Sequence, residues 1–233
     1  MQQRPNEQAV ISPAILRNVP LFAGLDDGEI AKLAAVAVVS VTPKHAVVIQ
    51  EGDKSDSIYL INSGKVKVLI SDAEGHEIIL SILGPGDYFG EMSLIDSQPR
   101  SATIVSMEPV HFAVITKSDF DRCLASNPNI ASHIMVELVK RLRTANQKIE
   151  GLALMDVYGR VARTLLQLAE LKDGEMVVNQ KLSQQDIANM VGASREMVSR
   201  TLKDLALNGF IRLDGKRIVV ITRNYQIKGA GID

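Results

Sequence analysis

Between Val38 and Ile115 the chain breaks into short β-rich runs separated by glycine-bearing turns, and this rhythm limits the fold more than any other feature. The runs are Val38–Val41, Ala46–Gln50, Ser57–Ile61, Lys65–Ile70, Glu77–Leu83, Ala102–Ser106 and Val110–Ile115. Turn signals stand at Gly52, Ser63-Gly64, Glu74-Gly75 and Gly84-Pro85-Gly86. Closely spaced short strands with glycine punctuation predict an antiparallel sandwich or jelly roll. Before them come a loose tail of about ten residues and two short helices, Pro13 to Asn18 and Asp27 to Ala37. The second is opened by Asp26 or Asp27 as its N-cap.

After the strands the period changes. A helix is expected from Ser118 to Ala125, and Pro128 opens a much longer one reaching about Met155, with Gly151 its one interruption. Leu138, Leu142, Ala145, Ile149 and Leu152 recur at alternating steps of four and three, the spacing of a coiled-coil seam. Such a stripe either joins two copies in parallel or packs the helix on its own strands. Gly151 to Asp156 reads as a hinge, and Asp156 caps a further helix through Val161, Leu165, Leu168 and Ala169 to about Lys172.

One loop carries chemistry. Phe89 to Thr103 reads FGEMSLIDSQPRSAT. Gly90 lets backbone approach a ligand closely, and a helical turn after it aims free N–H groups at an anion. Arg100 supplies a planar, permanently charged fork for phosphate oxygens. Glu91 repels phosphate but accepts from a sugar hydroxyl. Acid and base together make a clamp for a molecule bearing both ribose and phosphate; the alternative is a surface pair between Glu91 and Arg100. With FGE, a Leu-Ile pair and PRSAT in order, the segment resembles the phosphate-binding cassette of cyclic-nucleotide-binding domains. That resemblance implies that Glu91 holds the ribose 2′-hydroxyl and that Arg100 and Ser101 hold the cyclic phosphate. It also implies that Gly90, Met92, Ser93 and Ala102 belong to the same lining, with Arg141 and Asn146 expected to reach it from the long helix.

A second motif spans Leu182 to Leu205, LSQQDIANMVGASREMVSRTLKDL. Ser183 caps a short helix with Ile187, Ala188 and Val191 inward. Gly192 makes the turn, and Ser194 caps a second helix with Val198, Leu202 and Leu205 inward. This is the helix-turn-helix plan. Arg195, Glu196, Ser199, Arg200 and Lys203 face outward, with Ser183, Gln184 and Gln185 at the start of the first helix as further DNA contacts. Arginine pairs bidentately with guanine, and glutamate accepts from cytosine N4; Glu196 four residues before Arg200 is also an ordinary helical surface pair. Phe210–Leu213, Asp214-Gly215 and Arg217–Ile221 predict a hairpin wing.

Charge agrees with this division. From Asp156 onward 12 Lys and Arg stand against 9 Asp and Glu, whereas the preceding residues hold 14 against 18. Cys123 is the one cysteine, which leaves no disulfide framework and no ligand set for an iron–sulfur cluster. With a polar N-terminus and no apolar run of membrane length, a cytoplasmic protein is expected. His45, His76, His111 and His133 are scattered, so neither a metal centre nor an enzyme is expected, and His76 is the one candidate haem ligand.

From about Val19 to Ile221 the chain resembles the bacterial cAMP receptor protein (catabolite activator)/FNR-type family of transcription regulators, through Ser194-Arg195-Glu196 with Arg200, LALMDVYGRVARTLLQLAE and GKRIVVI. The resemblance implies an α+β chain: a cyclic-nucleotide-binding β jelly roll over 19–127, a dimerisation helix and hinge over 128–155, and a winged helix-turn-helix over 156–223. It further implies a homodimer on palindromic DNA with TGTGA-like half-sites, RNA polymerase as a partner, and no membrane. Two features depart from the cAMP receptor. Ala145 and Asn146 stand where a Thr-Ser pair meets the adenine, and the cassette is one residue shorter, as in eukaryotic kinase regulatory subunits. cAMP is favoured because Glu91 and Arg100 are kept. Cyclic di-GMP, with guanine edges read by Arg141 or Arg143, and an effector-independent DNA-binding regulator are the alternatives.

Overall fold

The computed structural model describes residues 12–22, 24–178, 182–215 and 217–221. The expected N-terminal tail, Lys216 of the wing and the last two residues of the expected DNA-binding domain lie outside them. The chain divides into two compact units, Met1–Leu142 and Arg143–Asp233.

The first unit opens with helix α1 (Pro13–Arg17), a 3-10 turn (Pro20–Phe22) and α2 (Asp27–Val36). Asp26 caps α2 in a reciprocal box: its carboxylate accepts from Glu29 N, and Glu29 accepts from Asp26 N, both at 2.8 Å. Strands β1 (Val38–Thr42), β2 (Val47–Ile49), β3 (Ser57–Ser63), β4 (Val66–Ser71), β5 (Glu77–Leu83) and β6 (Tyr88–Phe89) follow. Next come α3 (Glu91–Asp96), β7 (Thr103–Ser106), β8 (Val110–Thr116), α4 (Lys117–Ser126) and α5 (Pro128–Leu154).

The strands form two antiparallel sheets, β1-β8-β3-β6 and β2-β7-β4-β5. Ile61, Val66, Phe89, Ile104 and Phe112 fill one apolar cluster, while Ile58, Leu60, Phe120, Ile130 and Ile134 belong to a second, shared with the helices. The sandwich is as expected, with β6 added. Two residues are too short for a periodic signal, yet β6 pairs Phe89 with Tyr59 and stacks their rings at 5.1 Å, and that fixes where Gly90 and Glu91 begin.

The apolar residues of α5 split between two faces. Ile130 and Ile134 are buried and Leu138 packs against the same core, whereas Met135, Val139, Leu142, Ile149 and Leu152 are exposed. Leu138 therefore leaves the expected seam, and Met135 and Val139 join its outward stripe.

The second unit comprises the remainder of α5 with α6 (Val157–Leu168), β9 (Ala169–Lys172), β10 (Glu175–Val178), α7 (Gln184–Val191), α8 (Arg195–Leu207), β11 (Ile211–Asp214) and β12 (Arg217–Val220). Asp156 caps α6 by accepting from Gly159 N at 2.8 Å. The helix stops at Leu168, not Lys172. Asp173 and Gly174 both adopt positive φ, the pattern of a two-residue hairpin turn, so Ala169–Lys172 folds back on Glu175–Val178 as a strand. The sheet order β11-β12-β10-β9 places this extra hairpin beside the expected wing. Val161, Leu165, Ile187, Val191, Val198, Leu202 and Leu205 make the core.

Candidate functional site

In the first unit, strand β6 delivers the chain to Gly90, which turns it with φ of +89°. A Cβ there would lie 2.5 Å from Arg100 Nη1 and 2.8 Å from Ser57 O, so glycine is required by both conformation and contact. The helix α3 that follows has only 6 residues.

Glu91 and Arg100 do not pair with each other and are not on the surface: they are 2% and 4% exposed. Glu91 Oε1 accepts from Arg141 Nη1 at 2.8 Å, and Arg141 Nη2 donates to Tyr88 O at 2.9 Å. The Arg141 guanidinium also lies 4.9 Å from the centre of the Tyr88 ring. Burial pushes the Tyr88 hydroxyl up to about 12, with Arg141 opposing.

Arg100 is held differently. Nη1 donates to Gly90 O, and Nη2 to Ser55 Oγ and Ser57 O, each at 2.7 Å. Its Nε is buried without a partner, and among the described residues no carboxylate forms an ion pair with it. Burial lowers its pKa, against the fields of Tyr59, Glu91 and Asp56. A buried cation held by neutral dipoles keeps its charge available for a bound anion.

Glu91, Arg100 and Arg141 line one cavity of about 290 Å³. Gly90, Glu91, Met92, Ser93, Arg100, Ser101, Ala102 and Arg141 all contribute to it. Ser101 is exposed, its Oγ 3.5 Å from Met92 Sδ. Ile49, Val68, Leu83 and Ile104 supply an apolar wall, and Ser81 and Glu137 add polar groups that sequence reading did not assign. Asn146 belongs to the second unit, where it is exposed, as is Arg143.

His76 lies in the turn after β4 with Asp72 and Glu74, their ligand atoms all within 4.8 Å of one another. Asp72 contacts His76 Nδ1 at 2.9 Å and accepts from the backbone N–H of His76 and Glu74, and these bonds, the His76 ring first, hold its carboxyl below the usual range. This exposed trio is bound up in its own turn.

In the second unit, the Ser183 side chain accepts from Asp186 N, and Asp186 accepts from Ser183 N. Gly192 ends α7 with φ of +62°, and Ser194 caps α8 by accepting from Met197 N at 3.2 Å. Val198, Thr201, Leu202 and Leu205 are buried, which turns Arg195, Glu196, Arg200 and Lys203 to solvent and leaves Ser199 half-buried beside them. No ion pair joins Glu196 and Arg200 among the described residues, and both side chains are exposed. Ser183, Gln184 and Gln185 are exposed, with Gln185 Nε2 donating to Asn189 Oδ1 at 2.7 Å.

Arg160 was not singled out by the sequence. From α6 its Nε donates to Val191 O at 2.8 Å and Nη2 to Gly192 O at 3.3 Å, while Nη1 donates to Met155 O at 2.8 Å. It satisfies the orphan carbonyls at the end of α7.

A family model for the cyclic nucleotide-binding domain matches residues 40–127, and one for the Crp-like helix-turn-helix domain matches residues 159–225. The CRP-like cAMP-activated global transcriptional regulator of Mycobacterium tuberculosis is 36% identical over 210 residues, covering 88% of this chain and 94% of that protein. The cAMP-activated global transcriptional regulator CRP of Pasteurella multocida is 38% identical over 185 residues, covering 76% and 87%. Among solved structures, the c-di-GMP responsive global regulator CLP of Xanthomonas campestris matches with TM-score 0.72 at 29% identity, over 84% of this chain and 99% of that one. The catabolite activator protein of Thermus thermophilus matches at 0.53 and 32% identity, over 87% and 93%.

Proposed function

The chain belongs to the CRP family of DNA-binding transcription regulators, and from that premise we propose that it is a homodimer switched by cAMP. The observation that carries the reading is Arg100: a buried guanidinium without a carboxylate partner, beside a buried carboxylate, in one cavity. The cyclic phosphate would take Arg100 and Ser101. The ribose 2′-hydroxyl would donate to Glu91, which already holds Arg141 of α5. A ligand that touches α5 in one conformation more than in another shifts the equilibrium between them.

The outward stripe of Met135, Val139, Leu142, Ile149 and Leu152 supports a parallel pairing of two α5 helices. The hinge between Leu152 and Asp156 would then carry the ligand's effect to the two α8 helices, which a two-fold dimer sets in major grooves about 34 Å apart. Arg195, Glu196 and Arg200 are proposed to read TGTGA-like half-sites, with Ser183, Gln184, Gln185, Ser194, Ser199 and Lys203 as flanking contacts. RNA polymerase is the proposed protein partner and the cytoplasm the place of action. Binding and release make up the whole of the proposed chemistry, with no catalytic step. Cyclic di-GMP is the second reading, favoured by the likeness to the CLP regulator.

Fluorescence anisotropy with a palindromic TGTGA-containing duplex tests the proposal. cAMP is expected to tighten specific binding at least about tenfold, or ~1.4 kcal/mol, in wild type and not in Arg100→Ala. Equal affinity with and without either nucleotide would instead mark an effector-independent regulator.

A further inference from the structure

The turn between β2 and β3 grips Arg100 from outside the cassette. Gly52 N donates to Arg100 O, and Arg100 N donates to Asp53 O, both at 2.9 Å. Two and four residues beyond Asp53, Ser55 Oγ and Ser57 O each accept from Nη2 at 2.7 Å. Gly90 O takes Nη1. Nη2 is thereby committed to the protein through both its protons and Nη1 through one of two, while Nε is buried without a partner. Of the three acceptors two are backbone carbonyls, which any residue would provide. Ser55 is the side chain among them.

We infer that Ser55 is a positioning residue for anion capture by Arg100. Arginine has a long chain with many rotamers, and a phosphate site needs its planar fork held in one orientation. Nη2 carries two protons pointing in different directions, so it is locked only when Ser55 and Ser57 accept one each. A serine hydroxyl suits this task better than a carboxylate. It fixes the guanidinium through a neutral dipole and leaves its positive charge for the ligand, whereas an Asp or Glu there would neutralise it. Asp53 and Asp56 flank Ser55, yet neither forms an ion pair with Arg100 among the described residues; Asp53 meets it through its backbone carbonyl. Without the Ser55 hydroxyl the guanidinium keeps only Ser57 O and Gly90 O as acceptors, and part of the preorganisation that lowers the cost of binding is lost.

The inference rests on the cyclic-nucleotide reading, and its test separates the two. Wild type, Ser55→Ala and Ser55→Thr are titrated calorimetrically with cAMP and with cyclic di-GMP, with adenosine in competition as a phosphate-free probe. Ser55→Ala should bind the cyclic nucleotide about five- to tenfold more weakly, with adenosine affinity and thermal midpoint unchanged. Ser55→Thr keeps the hydroxyl and should stay within about twofold of wild type. A nucleotide affinity in Ser55→Ala equal to wild type overturns the positioning role and leaves the nucleotide reading standing. An equal loss for adenosine overturns it as well, because the serine would then shape the pocket as a whole. Wild type that binds neither nucleotide overturns the reading itself, and the role with it.

Discussion

Glu91 and Arg141 form a part-buried ion pair, Oε1 to Nη1 at 2.8 Å, across 50 residues of sequence. The glutamate comes from the cassette and the arginine from α5, so the pair joins the cassette directly to the long helix, and the proposed ligand on Glu91 would act on that helix through it. The Glu91 side chain is 3% exposed against 34% for Arg141, and loss of the arginine leaves a buried carboxylate without its counter-charge. Arg141→Ala is expected to lower the stability of the first unit by about 2 kcal/mol, below the range for a fully buried pair because solvent partly screens the arginine. Arg141→Lys should recover only part, since a lysine cannot serve both Glu91 and Tyr88 O with a planar fork. Urea unfolding of both variants checks this.

Gly90→Ala should be more damaging than its one added carbon suggests. The residue holds φ of +89°, and the new Cβ would collide with Arg100 Nη1 and Ser57 O. The expected result is a stability loss of at least ~1 kcal/mol with nucleotide binding lost together with it, because the displaced group is Arg100, the proposed partner of the phosphate. Calorimetric titration beside thermal unfolding separates the two effects.

Tyr88 predicts an alkaline transition. Its hydroxyl is buried without a hydrogen-bond partner and is pushed up to about 12 from its ordinary value of 10.0. In that interval an unfolded tyrosine ionises while the folded one stays neutral, so unfolding releases a proton and Tyr88's contribution to stability falls as pH rises. Below the lower value both states are neutral and the contribution is flat. Tyr88→Phe should remove this part of the pH dependence. At pH 7 it should leave stability unchanged or raised, because no hydrogen bond is lost. Denaturant unfolding from pH 8 upward provides the comparison.

Arg160 ties the end of α7 to the end of α5 through three backbone carbonyls. Arg160→Ala is expected to destabilise the second unit by about 2 kcal/mol, the scale for charge-assisted bonds in a half-buried setting. DNA affinity should drop, while nucleotide affinity should remain at the wild-type value. A nucleotide affinity that fell in parallel would contradict this assignment.

How much of this was legible in the sequence depends on the range of the interaction. Strand phasing, the caps at Asp26, Asp156, Ser183 and Ser194, and the outward face of α8 are local, and each was readable from period and residue type. Asp173-Gly174 carried an equally local hairpin signal, but the helix-forming residues of Ala169–Lys172 masked it. Beyond that range the sequence is nearly silent. Nothing near Ser55 or Arg160 announces a partner 45 or 31 residues away. The two-residue strand β6 exists because Tyr59 is there to stack on Phe89. Heptad spacing likewise chose Leu138, where packing against Ile130 and Ile134 claims that residue for the core and exposes Val139 instead. The cassette showed which residues could hold ribose and phosphate; that Arg100 would be buried without a carboxylate partner emerged only from the fold.

The most direct test of the central claim is calorimetric titration of the purified protein with cAMP, cGMP and cyclic di-GMP in parallel. The account predicts saturable binding of cAMP, lost in Arg100→Ala while that variant remains folded. No binding of any of the three, or a cAMP affinity unaltered by Arg100→Ala, would contradict it.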